Sequence, residues 1–155
     1  MNKLTHLCGL LAVVVSGLSC GAMLTGAMVV VPSWRSMPPA EFLAWFNANA
    51  ERMQFYFGPL QAATILVTSA SAILFRLGHR PGSVSFGIAA AFAIAVLATF
   101  PLYFRAANAS FVSGTIPLDQ VPSELARWGT WQWVRTVLGI LGFGATILAM
   151  SSSRG

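Results

Sequence analysis

Charge is what this sequence has least of. Only 8% of its 155 residues are Asp, Glu, Lys or Arg, against roughly 25% in soluble domains. With 56% hydrophobic residues besides, an ordinary soluble domain is excluded. Acid is scarcer than base: four Asp and Glu stand against nine Lys and Arg, for a net charge of +5. The bases are scattered at the ends of apolar stretches, with no run and no basic face. That excludes nucleic acid as a partner and fits membrane-topology signals. Histidine is limited to His6 and His79, and cysteine to Cys8 and Cys20. The cysteines lie roughly 18 Å apart along one helix and cannot bridge each other. His6 and Cys8 are two residues apart, the wrong spacing to share a helix face. The methionines, Met23, Met28, Met37 and Met53 among them, read as core gap fillers rather than copper ligands. No metal and no cofactor is therefore expected. A Ser-His-Asp set, a Gly-rich phosphate loop and a nucleotide-binding fingerprint are missing as well.

What is there are long uncharged stretches. No Asp, Glu, Lys or Arg occurs between Lys3 and Arg35, between Arg52 and Arg76, between Arg80 and Arg105, or between Arg135 and Arg154. Each is long enough for a membrane helix. They predict an all-α, integral membrane four-helix bundle of up-down topology, a single membrane domain over 1–155. The helices are expected at about 7–31, 57–77, 84–104 and 124–150. The first is too long for the apolar region of a cleaved signal peptide and is read as a retained span ended by Pro32. Gly17-xxx-Gly21 on it is read as generic close packing. Pro59 sits near the start of the second, Gly78-His-Arg-Pro-Gly82 makes a tight turn, and Pro101 kinks or ends the third.

Two long loops, about 32–58 and 105–123, fall on one side of the membrane. In the first, Phe42, Trp45, Phe46, Asn49, Met53 and Tyr56 recur at helical spacing after Pro38-Pro39. This predicts an amphipathic helix at the interface. In the second, Arg105, Asn108 and Phe111 share a face if the helix continues past Pro101. All four acids, Glu41, Glu51, Asp119 and Glu124, lie on this side; Lys3, Arg76, Arg80 and Arg154 lie on the other with no acid. The charge balance favours both termini in the cytoplasm of a multi-pass protein of the cell membrane. Helices one and three each end near a proline and lead into an arginine-bearing, aromatic-rich loop, a faint internal echo.

The last span opens with Trp128-Gly-Thr-Trp-Gln-Trp-Val-Arg135. At helical spacing Trp128, Trp131, Gln132, Arg135, Gly139 and Gly142 make one stripe. Arg135 thus points the way the glycines do, toward a neighbouring helix. It is either an interfacial anchor that snorkels to the headgroups or a cation lining a polar site. Around it on the long-loop side stand Arg52, Arg105, Asn49, Asn108, Gln132, Glu41, Glu51, Tyr56, Tyr103 and several tryptophans. Such a set suits an apolar aromatic molecule bearing an oxyanion. Trp128 and Trp131 offer flat contact area, arginine favours a phenolate or enolate, and a carboxylate accepts a proton.

Pro32, Pro39-Ala-Glu-Phe42 leading to Asn49, Pro59, Pro101, Asn108, and Trp128 followed by Val134-Arg135-Thr136 occur in an order, and at separations, that carry a resemblance. From about Gly21 to Leu148 the chain resembles the anthrone-oxygenase-like family of small four-helix membrane proteins, much of it described as a domain of unknown function. The resemblance implies a cofactor-free oxidation by dioxygen of a lipophilic, polyketide-type aromatic. Glu51 or Glu41 would deprotonate the activated C–H. Arg135, with Arg52 or Arg105, would hold the oxyanion, and Asn49, Asn108, Gln132, Trp128, Trp131 and Tyr56 would bind the substrate. The family pattern often has His or Asn where this chain has Gln132, and glutamine cannot serve as a base near neutral pH. The alternative is a non-catalytic small membrane subunit that binds a lipid, quinone or pigment or stabilises a membrane complex. The partners expected are the bilayer, a lipophilic aromatic ligand, and a second copy or a larger membrane assembly. A channel is the weakest reading, because uncharged helix interiors offer no polar path.

Overall fold

The computed structural model describes Lys3–Ser153; Arg154, placed above with the bases of the short-turn side, lies outside the described residues. Four helices follow one another: α1 (Lys3–Arg35), α2 (Pro39–Leu77), α3 (Ser83–Ser113) and α4 (Val121–Ser152). No strand occurs among the described residues. Each helix packs against its neighbours in sequence, and α1 also packs against α4, closing an up-down ring. All four are long and apolar enough to cross a membrane, and the chain is a multi-pass, all-α four-helix bundle.

The distribution of side chains inverts that of a soluble bundle. Leu7, Leu18, Leu66, Ile73, Ile94 and Leu148 are exposed, whereas Ser16, Ser19, Thr64, Thr68, Ser71 and Thr146 are buried. In lipid the outer apolar residues are solvated by acyl chains. Helix contacts then rest on small residues and on hydroxyls that bond locally. Thr64, Thr68 and Thr146 donate to carbonyls of their own helices at 2.7–2.8 Å. Gly17 faces the Phe143 ring, but a Cβ on Gly21 would meet nothing within 4 Å. The Gly-xxx-Gly pair is therefore not a shared contact. Both cysteines are free, and the Ser71 hydroxyl donates to Cys8 Sγ at 3.3 Å.

The helices run further than their apolar stretches. With 31 to 39 residues each, they reach roughly 46–58 Å, well beyond the ~30 Å hydrocarbon core. The first expected loop is mostly helix: α2 runs unbroken from Pro39 through Pro59 to Leu77. The amphipathic segment is the upper part of α2, not a separate interfacial helix. Its Phe42 and Phe46 are fully buried, and that packing outweighs the one hydrogen bond Pro59 removes. Pro32 does not stop α1, nor does Pro101 end α3. Each sits in or beside a π-helical turn, Gly26–Val30 and Phe100–Phe104, after which the helix resumes. A π turn is wider and bonds i to i−5. Val31 N–H accordingly donates to Gly26 O, and Arg105 N–H to Phe100 O. The wider turn gives the proline ring room it lacks in an α-helix. That α1 and α3 carry the same device near their prolines strengthens the echo seen in sequence.

The projecting ends meet in an aromatic cap. Trp34 is 2% exposed, and its ring centroid lies 5.1–5.7 Å from those of Phe42, Trp45, Phe46 and Trp128. Phe111, Tyr103, Phe104 and Leu125 complete the cluster. The long-loop end, where the sequence gathers its polar set, is filled by rings.

At the other end the turn between α2 and α3 depends on Gly82, whose φ is +94° and whose missing Cβ leaves room for the Ala149 backbone carbonyl of α4. Gly114, between α3 and α4, also has positive φ (+64°) but open space around it. Gly82→Ala is expected to cost on the order of 3 kcal/mol, from left-handed strain plus backbone overlap. Gly114→Ala should cost only about 1 kcal/mol. Thermal unfolding in detergent, with the two variants in parallel, checks the order.

Candidate functional site

The α4 stripe turns inward as its spacing requires. Trp128 and Gln132 are buried, Trp131 and Arg135 partly buried, and Trp133 and Val134 between them exposed. Gly139 lets the Met23 side chain in, and Gly142 faces Phe92. Arg135 reaches up beneath the cap. Its guanidinium carbon lies 4.3 Å from the Phe104 ring centroid, 5.5 Å from Trp128 and 6.0 Å from Phe57. Its Nε is enclosed and has no hydrogen-bond partner among the described residues. No carboxylate pairs with it among the described residues. Ring faces stabilise a desolvated cation by about 2 kcal/mol, yet they do not replace the in-plane acceptors a guanidinium is built to meet.

One turn earlier, Gln132 crosses to α1. It is fully buried, and its Nε2 donates to Met23 O at 2.7 Å. The Thr136 hydroxyl reaches the same oxygen at 3.2 Å and Gln132 O at 2.7 Å. Met23 lies just before the π turn of α1, where the hydrogen-bond register changes. Two side chains of α4 thus serve a carbonyl at the break. Gly26 makes room for this, since a Cβ there would sit 2.7 Å from Gln132 Nε2. Gln132 Oε1 is left buried without a partner. Gln132 is therefore first a helix-to-helix tie.

Above Arg135 a second set of polar contacts joins α3 to α4. Trp128 Nε1 donates to Asn108 Oδ1 at 2.9 Å. The Tyr103 hydroxyl donates to Glu124 Oε1 at 2.6 Å. The Tyr103 ring stacks on Trp131, with centroids 5.2 Å apart and planes 6° apart. The Arg127 guanidinium carbon also lies over the Tyr103 ring, 5.6 Å from its centroid. Glu124, Arg127 and Thr136 had no place in the expected site, and Tyr103 stood in its polar set without an assigned role. Thr136 was within reach of spacing alone, four residues beyond Gln132. Glu124 was masked by its second role as a helix-start acid, and the Tyr103 pairing depends on the π turn, which left no mark in the pattern.

The remaining expected residues are spread over the surface of the projecting ends. Glu41, Glu51, Arg52, Arg105 and Tyr56 are exposed. Asn49 Nδ2 donates to Trp45 O of its own helix at 2.8 Å. The two carboxylates and Arg52 do not join Arg135: the amphipathic segment turns Phe42 and Phe46 inward, which puts its charged face outward. A void of about 20 Å³ lies deeper in the bundle, between Ser16, Ser19, Gln61 and Gly139, enough for about one water. Among the described residues no three His, Cys, Asp or Glu side chains gather as a metal site would require.

Comparison with protein-family models, with characterised proteins and with solved structures finds no match for the chain.

Because Gln132 and Thr136 share one acceptor, their losses should not add. Gln132→Leu and Thr136→Val each leave Met23 O with a side-chain partner, and each should cost about 1 kcal/mol. The double variant strips it and should cost more than the sum, by 0.5 kcal/mol or more. A double-mutant cycle on thermal unfolding measures this; strict additivity would remove the shared-carbonyl account.

Proposed function

We propose that the chain is a membrane protein that binds a lipophilic molecule through an oxygen-bearing head, a phenol, aromatic ketone or quinone, at Arg135. The supporting observation is the setting of the guanidinium: a partly buried cation turned into the bundle, ringed by Phe57, Phe104 and Trp128, with an enclosed Nε that no described residue satisfies. An enclosed donor on a cation, left without a partner, is costly, and an oxygen acceptor from a ligand relieves that cost. The rings supply flat apolar area for the rest of the molecule. The protein sits in the cell membrane with both termini in the cytoplasm, as the acid-free short-turn side supports. The placement of Glu41 and Glu51, exposed on the outer face of α2, supports binding without catalysis.

Oxidation of an anthrone-type substrate is the second reading, from the family resemblance and from one further contact. The Tyr103–Glu124 pair is packed against the same aromatic group as Arg135, since Tyr103 touches Phe104 with centroids 5.3 Å apart. In this reading Glu124, rather than Glu41 or Glu51, is the carboxylate available to move a proton.

Protein purified in mild detergent is expected to carry a lipophilic, oxygen-bearing molecule, seen in its absorbance spectrum and in solvent extracts. Arg135→Gln should lose it by roughly tenfold or more, as for a lost charge-assisted hydrogen bond, whereas Arg52→Gln and Arg105→Gln should keep it. Equal retention in all four proteins would sink the binding reading. Acceleration of anthrone oxidation that disappears in both Arg135→Gln and Glu124→Gln would replace it with the oxygenase.

A further inference from the structure

At the end of the bundle away from the aromatic cap, α2 and α3 part to leave an open groove of about 550 Å³. Its walls are apolar and face outward: Ile73 and Leu77 on α2 are 58% and 73% exposed, and Val84 and Ile88 on α3 are 67% and 47% exposed. Between them Gly87 contributes no side chain, and a Cβ there would meet nothing within 4 Å. The groove runs from Ser83 at the start of α3 to Ala91, roughly 12 Å along the helix. Its open end is polar. Arg76, in the last turn of α2, lines it together with Ser83. Arg76 is exposed, and His79 and Arg80 follow directly in the turn. Every Asp and Glu of the chain lies on the opposite, capped side, on the upper part of α2 or at the entry to α4.

We propose that this groove is a binding site for an anionic phospholipid, its phosphate held by Arg76 at the mouth and one acyl chain lying along Gly87. Charge complementarity selects this occupant. A cationic mouth with no carboxylate near it attracts the acidic headgroups of the leaflet at that end, and an apolar slot between two helices accepts a chain that would otherwise lie loose in the bilayer. A tail in the slot covers the outward faces of Ile73 and Ile88 and fills the space Gly87 leaves. The site is separate from Arg135 and does not depend on the function proposed there.

The test is native mass spectrometry of the full chain released from a mild detergent, titrated in parallel with phosphatidylglycerol and phosphatidylcholine of the same acyl chains. The wild-type chain is expected to retain one phosphatidylglycerol in preference to phosphatidylcholine by about fivefold, as one arginine near the headgroups provides. Arg76→Gln should abolish the preference, whereas Gly87→Leu, which fills open space and leaves the bundle intact, should lower retention of both lipids. Equal retention of the two lipids by the wild-type chain would overturn the proposal, as would a phosphatidylglycerol preference that survives Arg76→Gln. A dimer that Gly87→Leu dissociates would overturn it too, because the groove would then be a seat for a second copy.

Discussion

Inside a bilayer no water stands ready to pair a stray backbone group, and this bundle is organised around the two places where its own ladders change register. At the π turn of α1 the Met23 carbonyl is met by Gln132 and Thr136 of α4. That pairing ties the first helix to the last, and it sets the rotation of α4 about its axis. Once Gln132 faces inward, Trp128 and Arg135 face inward with it, because three and four residues span about one turn; Trp128 meets Trp34 of α1 and Phe104 of α3, and Arg135 meets Phe57 of α2 and Phe104. The π turn of α3 acts in a complementary way. It carries Tyr103 and Phe104, both buried, which receive Glu124 and Arg135 from α4. The irregular turns thus create the surfaces against which the inward stripe of α4 is held.

The chain also answers to two solvents. Where the helices lie in lipid, the interior is rich in glycine, alanine and hydroxyl around the Phe75–Phe86 pair, and the leucines face out. Where they project, the interior becomes aromatic, with Trp34 at its centre, as a water-exposed end needs apolar burial to hold together. Arg135 stands at the junction. The lid of rings above it and the small-residue packing below it are products of the two regimes, and a cation fits where they meet.

How much of this was legible in sequence differs by element. The spans could be read from the uncharged stretches, and the inward stripe of α4 from helical spacing, because one long periodic segment leaves little ambiguity. The extensions could not. Pro32, Pro59 and Pro101 argue locally for ends, and only tertiary packing reveals that Phe42 and Phe46 carry α2 through. The polar set expected around Arg135 was misjudged for a related reason. Glu41, Glu51, Arg52 and Arg105 are close along the chain to aromatic residues that do go inward, and residues of one amphipathic helix share a segment without sharing a face. Asn49 and Asn108 were seen as polar groups awaiting a ligand, whereas each has a partner in the chain, Trp45 O and Trp128 Nε1.

The two readings of Arg135 raised by the sequence, interfacial anchor and inward cation, turn out not to exclude each other. Side chains on a helix lean toward its N-terminus, and the N-terminal end of α4 is the capped end. From position 135 the long stem therefore carries the guanidinium toward the interface and into the bundle together, and it arrives under Trp128 and Phe104. An anchor needs only headgroup water, and a core of rings offers none to the enclosed Nε. What the arrangement lacks is an acceptor, and the chemistry that supplies one also sets how strongly it is held. A neutral ketone or quinone oxygen fills the hydrogen bond alone. A phenolate or enolate fills it and cancels the charge, and in surroundings this poor in water the second gain exceeds the first. Under the function we propose, the ligand would therefore be held more strongly as the ionised form of a weakly acidic aromatic than as its neutral form.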